Sequence, residues 1–255
     1  MPLNKPLGDW QGKRVWLVGA STGIGFALGQ ALAARGAKLV ISARNVDRLK
    51  TAAEQMGPCT PVPLDVSVAT QWPTALEQTL AALGGLDVVI FNAGTYAPLR
   101  AWELQLEGAR QTFETNLMGI YNGLAVCMPT YMAQKSGHIV IVSSVAGYGG
   151  LPKALAYGPS KAALINLAEC LYLDLKPRGV GVTLVCPGFV ETPLTAQNDF
   201  RMPALITAPR AAEYILQGMA AGRFEIHFPK RFSLFLKLLG ALPRRAYFYL
   251  AGRLG

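Results

Sequence analysis

The feature that most narrows what this chain can fold into is its alternation of short apolar runs with longer helical patterns. Residues 14–19, 38–43, 61–64, 86–91, 139–142 and 180–185 read as strands. Helical patterns lie between them, at 23–35, around 46–56, and over about 68–83, 106–134 and 156–176. This is the rhythm of repeated βαβ units, which build a parallel sheet. Crossover helices on both faces make the expected class α/β and doubly wound, with a ligand site beyond the carboxyl ends of the strands. A chain of 255 residues, 51% hydrophobic, can bury one full core. There is no internal repeat, low-complexity segment or linker. One domain is expected over 1–229, with a basic, apolar extension over 230–255 that either joins that domain or faces a membrane.

Chemistry-bearing residues fall at the predicted strand ends. Gly19-Ala20-Ser21-Thr22-Gly23-Ile24-Gly25 joins the first strand to the first helix. Its glycines allow a tight turn, a close approach of backbone to a pyrophosphate, and a helix N-terminus aimed at the anion. Such a turn also serves ordinary strand-to-helix junctions. The second strand ends Ile41-Ser42-Ala43-Arg44, with alanine where a carboxylate would take both ribose hydroxyls. Arg44 stands 19 positions after Gly25, close to the ~20 at which the ribose is read. A guanidinium there suits a 2′-phosphate, and Ser42 or Ser21 adds a hydroxyl, so NADP(H) is expected over NAD(H). Thr22 supplies no second cation in the glycine turn. Further along, Tyr157 and Lys161 share a helix face at i and i+4. A phenol ionises near pH ~10, and a nearby cation is expected to lower that value. Ser144 lies thirteen residues before Tyr157, at the end of the run His138-Ile139-Val140-Ile141-Val142-Ser143-Ser144, with Ser143 as the competing hydroxyl.

Taken together, Gly19-x-x-x-Gly23-x-Gly25, Asp65, Asn92-Ala93-Gly94, Asn116, Ser144, Tyr157/Lys161 and Pro187-Gly188 resemble the short-chain dehydrogenase/reductase superfamily. The resemblance runs from about Arg14 to about Gly222 and implies a single-domain Rossmann-type fold. It implies that Tyr157 is the acid/base and that Lys161 lowers the Tyr157 pKa and holds the nicotinamide ribose. Ser144 would then bind the substrate oxygen, and Asn116 a water linking Lys161 to solvent. It also implies that Asp65 contacts the adenine amino group, while Val66, Asn92, Ala93 and Gly94 line the nucleotide. Pro187-Gly188 would turn the chain over the nicotinamide, with Val190 beside it and Thr192 on its carboxamide or the pyrophosphate. Phe91 departs from the Asn or Thr usual in the family, a change expected to alter packing more than binding. The substrate lid would cover about 189–208, where Leu194, Phe200, Met202, Leu205 and Ile206 surround Asp199 and Arg201. Relatives form dimers or tetramers through two long helices. Leu164, Leu167, Leu171 and Leu175 offer either such a face or simply core.

Composition sets limits on other functions. Cys59, Cys127, Cys170 and Cys186 have neither metal-site nor disulfide-framework spacing, which fits free thiols in a reducing cytoplasm. With only His138 and His227, a histidine-ligated metal is not expected. Residues 1–13 contain no apolar h-region, so no signal peptide is expected. Net charge is +9, but six cations after Glu225 (Lys230, Arg231, Lys237, Arg244, Arg245 and Arg253) leave +3 for the rest. No nucleic-acid motif accompanies them. Within the tail, Phe235, Leu238, Leu239 and Leu242 form one helical stripe, with Ser233, Lys237 and Gly240 opposite. The stripe is expected either to lie on an anionic membrane, at its inner face, or to fold back over the substrate pocket or a subunit interface. The expected function is NADP(H)-dependent interconversion of a bulky, lipophilic ketone or aldehyde and an alcohol. An epimerase-type relative and a non-catalytic NADP(H)-binding sensor or membrane scaffold are the alternatives.

Overall fold

In the computed structural model, which describes residues 1–198 and 202–254, β1 (Arg14–Val18) lies inside a seven-stranded parallel sheet. Its neighbours are β2 (Lys38–Ser42) and β4 (Val88–Phe91), and Val18 pairs in register with both Ser42 and Phe91. Beyond β2 lies β3 (Thr60–Pro61). Beyond β4 come β5 (Gly137–Val142), β6 (Val180–Pro187) and β9 (Glu225–Phe228), giving the order β3-β2-β1-β4-β5-β6-β9. The order reverses direction between β1 and β4, and the carboxyl ends there part into a crevice. At the opposite end Arg14 and Asp87 form a two-pronged ion pair, with its shortest contact at 2.6 Å, that ties the starts of β1 and β4.

Strand residues are buried on both faces, as a covered parallel sheet requires. Alternate residues feed two cores. Trp16, Val89, Phe91, Ile139 and Ile141 face α3 (Trp72–Leu83), α5 (Gly119–Gln134) and α6 (Tyr157–Leu175). Val15, Leu17, Val88, Ile90 and Val140 face α1 (Gly23–Ala33), α2 (Val46–Met56) and α7 (Ala208–Ala220). On the first face Trp16, Trp72 and Phe91 interlock edge-on, with centroids 5.5 and 6.1 Å apart. Phe91 is thus a packing residue. Leu164, Leu167 and Leu175 are buried and Leu171 packs against the same core, so the leucine face of α6 belongs to the interior.

Three expected elements differ. The third strand shrinks to two paired residues because Pro61 and Pro63 have no N–H, although Val62 and Leu64 still donate to Ile41 and Ala43 at 2.9 and 3.1 Å. The long helix over 106–134 is interrupted: α4 (Leu106–Phe113) passes into a π-turn at Glu114–Met118 before α5 begins. In the lid, β7 (Val190–Glu191) pairs with β8 (Ile206–Thr207), while Asp199, Phe200 and Arg201 lie outside the described residues.

The tail forms α8 (Lys230–Ala241) and α9 (Arg244–Ala251), and both dock on the α6 side of the sheet. Of the predicted stripe only Leu239 docks, together with Ser233 and Leu236, whereas Phe235, Leu238 and Leu242 are exposed. Ser233 tolerates burial because its hydroxyl donates to Pro229 O at 2.9 Å and sits 2.7 Å from His227 Nδ1. A small residue at 240 also lets α8 approach the Tyr148 carbonyl, which a Cβ on Gly240 would meet at 3.2 Å.

His138 is buried under Thr183, with Nε2 2.8 Å from Oγ1, and burial holds its pKa down at about 4. The native state therefore refuses a proton that the unfolded chain accepts. The stabilisation is complete above the ordinary value of 6.5 and is lost as pH falls toward about 4. Over that window the loss amounts to about 3 kcal/mol. Urea unfolding in mild acid should show a larger drop from its neutral value for wild type than for His138→Asn; equal drops would contradict this origin.

Candidate active site

The crevice between β1 and β4 is a cleft of about 530 Å³. Its floor is built from the backbone of the strand ends. Gly19 N and Ala20 N donate to Ser42 O at 2.7 and 3.1 Å, and Asn92 N and Ala93 N donate to Val18 O at 2.9 and 3.0 Å. Asn92 Nδ2 donates to Gly19 O at 2.6 Å, clamping the glycine turn to the end of β4. Gly19 has φ +90°, a left-handed conformation that favours glycine. Gly25 does not line the cleft. It sits so close beneath the turn that a Cβ would collide with Gly19 O and the Asn92 amide.

Around the rim lie Gly19, Ser21, Thr22, Gly23, Ile24, Arg44, Asp65, Val66, Asn92, Ala93 and Gly94, followed by Ser144, Tyr157, Lys161, Pro187, Gly188, Val190 and Thr192. The first turn of α1 has no acidic residue and its N-cap, Thr22, makes no side-chain cap bond. Its N–H donors are therefore available to an anion. Asp65 holds its loop by accepting from Ser67 N at 3.0 Å and Ser67 Oγ at 2.7 Å, both on Oδ1. Thr192 is pinned to Thr195, whose Oγ1 donates to Val190 O at 2.6 Å. These features fit a dinucleotide: anion donors at the turn, glycine backbone at the floor, and a carboxylate at one wall.

Like Gly25, Ser42 does not line the cleft. It is fully buried and its hydroxyl accepts a hydrogen bond from Trp16 Nε1 at 2.9 Å. A second cation stands near Arg44 instead. Asn45 caps α2 by accepting from Arg48 N at 2.8 Å, and this places Arg48 in the first turn, on the cleft wall. None of the ion pairs between described residues engages Arg44 or Arg48. The spacing of four from Arg44, with a capping asparagine between them, was the available signal for it.

Ser144 and Tyr157 both line the other end of the cleft, where Ser144 Oγ accepts from Ala146 N at 3.1 Å and the Ser144 side chain acts to lower the Tyr157 pKa. The Ser143 hydroxyl is buried and donates to Lys161 O at 2.7 Å instead. Lys161 is buried, donates to Val142 O at 3.0 Å, and lies 5.6 Å from the centre of the Tyr157 ring. Burial pushes the Tyr157 phenol up to about 12, which outweighs the lowering by its Ser144 hydrogen bond. Burial also lowers the Lys161 ammonium to about 8. The expected lowering of Tyr157 is thus reversed here: desolvation dominates, and at neutral pH the phenol keeps its proton beside a charged lysine.

Asn116 is fully buried in the π-turn, and its side chain is occupied. Its Oδ1 accepts from Thr95 N at 2.7 Å, and its Nδ2 donates to Thr95 O and Ser160 Oγ at 3.0 and 3.1 Å. It fastens the loop after β4 to α6 instead of lining the cleft. π-turns recur at functional sites, and this one brings the asparagine to that loop. A Cβ on Gly94 would sit 3.4 Å from Asn116 Oδ1 and 3.5 Å from Lys161 Nζ, which places the loop beside both. Tyr96, which sequence reasoning missed, packs edge-on against Tyr157 with centroids 5.0 Å apart. Among the described residues no group of His, Cys, Asp and Glu is arranged to hold a metal.

Comparison with known proteins agrees with this geometry. The family model for short chain dehydrogenase matches residues 13–201. An uncharacterized oxidoreductase of Myxococcus xanthus is 35% identical, over 93% of this chain and 96% of its own. One from Listeria monocytogenes is 34% identical, over 71% of this chain and 76% of its own. The crystal structure of a short chain dehydrogenase/reductase from Burkholderia phymatum, in complex with NAD, superposes with a TM-score of 0.84 at 26% identity. That match covers 91% of this chain and 94% of the other.

Proposed function

The chain is an oxidoreductase that belongs to the short-chain dehydrogenase/reductase family, and from that premise we propose that it interconverts a ketone or aldehyde and an alcohol using NADP(H). The observation that carries the cofactor choice is the pair Arg44 and Arg48 on the cleft wall, beside a strand end that has Ala43 where a carboxylate would repel a phosphate. Two guanidiniums at that wall suit a 2′-phosphate dianion. The cofactor, when bound, supplies or accepts the hydride. Tyr157 gives its proton to the substrate oxygen during reduction, and Ser144 donates a hydrogen bond to the same oxygen as negative charge develops there. Lys161, charged below about pH 8, steadies the phenolate that Tyr157 becomes. Asp65, Val66 and the Asn92–Gly94 backbone would hold the adenosine half, and Thr192 the nicotinamide half. Tyr96, Leu194 and the tilted ring pair Phe189–Phe232, 5.5 Å apart, support a bulky, lipophilic substrate.

A homodimer or homotetramer is part of the same reading, with exposed Met118, Tyr121 and Leu173 on the long-helix side as its apolar contacts. The four free cysteines suit a cytoplasmic setting.

Arg44→Ala and Arg48→Ala should each weaken NADPH binding by about 10- to 100-fold, the equivalent of one charge-assisted hydrogen bond, and leave NADH binding unchanged. Fluorescence titration with both nucleotides checks this; equal NADPH and NADH affinities in wild type would defeat the proposal. The rate of carbonyl reduction should fall as pH rises through about 8, because Lys161 loses its charge there while Tyr157 remains protonated. A pH–rate profile that stays level through that value would exclude this role for Lys161.

A further inference from the structure

The structure leaves one side of the tail uncovered. On α8 the exposed Leu234 and Phe235 lie four and three residues before exposed Leu238, and Leu242 at the helix end follows four residues later, forming a stripe opposite the docked face. Leu238 is 70% exposed. Helix α9 adds Phe248 at 67% and Tyr249 at 61%, while Tyr247 and Ala251 anchor it to the core. Arg231, Arg244, Arg245 and Arg253 are all exposed along these two helices. Arg253 lies 4.2 Å from the Tyr249 ring centre and Arg244 5.7 Å from that of Tyr247. From residue 230 to the end of the sequence there is no Asp or Glu. The carboxylate preceding it, Glu225, is already engaged by Tyr148 and Lys237.

We infer that this face of α8 and α9 docks on an anionic lipid bilayer. Apolar and aromatic side chains flanked by arginines whose stems reach to a headgroup layer are the arrangement of an interfacial helix pair. Charge selects the occupant. A second copy of this chain meeting the same face would bring like arginines together with no carboxylate in the segment to receive them. A phosphate-bearing surface complements them. The twelve residues of α8 span only ~18 Å, against a hydrocarbon thickness of ~30 Å, so the helix lies on the bilayer and does not cross it. Correspondingly, no described helix is long and apolar enough to span a membrane.

The test is co-sedimentation of the full chain with vesicles of phosphatidylcholine alone and of phosphatidylcholine mixed with phosphatidylglycerol. Variants Leu238→Glu with Phe248→Glu, and Arg244→Glu with Arg245→Glu, change exposed positions only, and NADPH binding and the thermal midpoint verify their fold. Wild type should sediment with the anionic vesicles and not the neutral ones, and added salt should release it. The arginine pair should lower partitioning by at least about tenfold, and the apolar pair should abolish it. Failure to bind anionic vesicles, or binding indifferent to both variants, overturns the inference. So does a concentration-dependent dimer that Leu238→Glu dissolves, since the face would then be covered by a second copy.

Discussion

The site depends on the hydrogen-bonded closure of the β1 end against the ends of β2 and β4. Gly19 and Ala20 bind the Ser42 carbonyl, Asn92 and Ala93 bind the Val18 carbonyl, and the Asn92 side chain returns to the Gly19 carbonyl. Each bond uses a backbone group that a parallel strand leaves unpaired as it ends, so the turn costs little and is fixed in space. This closure sets where α1 begins, aims its N–H groups into the cleft, and holds Gly94 against Asn116 and Lys161. A turn displaced by a side chain at position 25 would lose all of these together.

Burial then determines the chemistry at the far end. Tyr157 and Lys161 are withdrawn from water by the same helix, and desolvation disfavours the charged form of each. The phenol stays protonated and the ammonium becomes easier to discharge. At neutral pH the pair holds a protonated phenol beside a charged ammonium, a state set by desolvation as much as by residue type. Asn116 contributes by fastening the loop that carries Tyr96, at the point where the helix between α4 and α5 widens.

Much of this was legible in the residues. The strands β1, β2, β5 and β6 are apolar runs bounded by turn signals, and their order alone implied the crevice. Most of the motif residues line one cleft because they follow strands of the same sheet or, like Tyr157 and Lys161, lie at the start of α6 beside it; Gly25 and Asn116 support that cleft from behind. What escaped depended on contacts distant in sequence. Ser42 was read, with Ser21 as the alternative, as adding a hydroxyl to the 2′-phosphate, but the partner of its hydroxyl, Trp16, lies on the neighbouring strand. For α8 the sequence left both a membrane and a fold-back placement open; which residues dock depends on Ser233, which His227 and Pro229 satisfy and which can therefore be buried. The π-turn escaped because residues 106–134 read as one long helical pattern. Arg48 was readable from its place one turn after Arg44 and was overlooked because the strand end alone was considered.

The most direct measurement is NADPH oxidation, followed by absorbance against a panel of bulky aliphatic and aromatic ketones and aldehydes, for wild type and Tyr157→Phe. The phenyl ring preserves the packing against Tyr96 and removes only the proton donor. Turnover should fall by about 10²–10⁴ in the variant while NADPH binding is retained. Turnover near the wild-type rate would contradict the assignment of Tyr157 as the proton donor and, with it, the reading of the cleft as a carbonyl-reducing site.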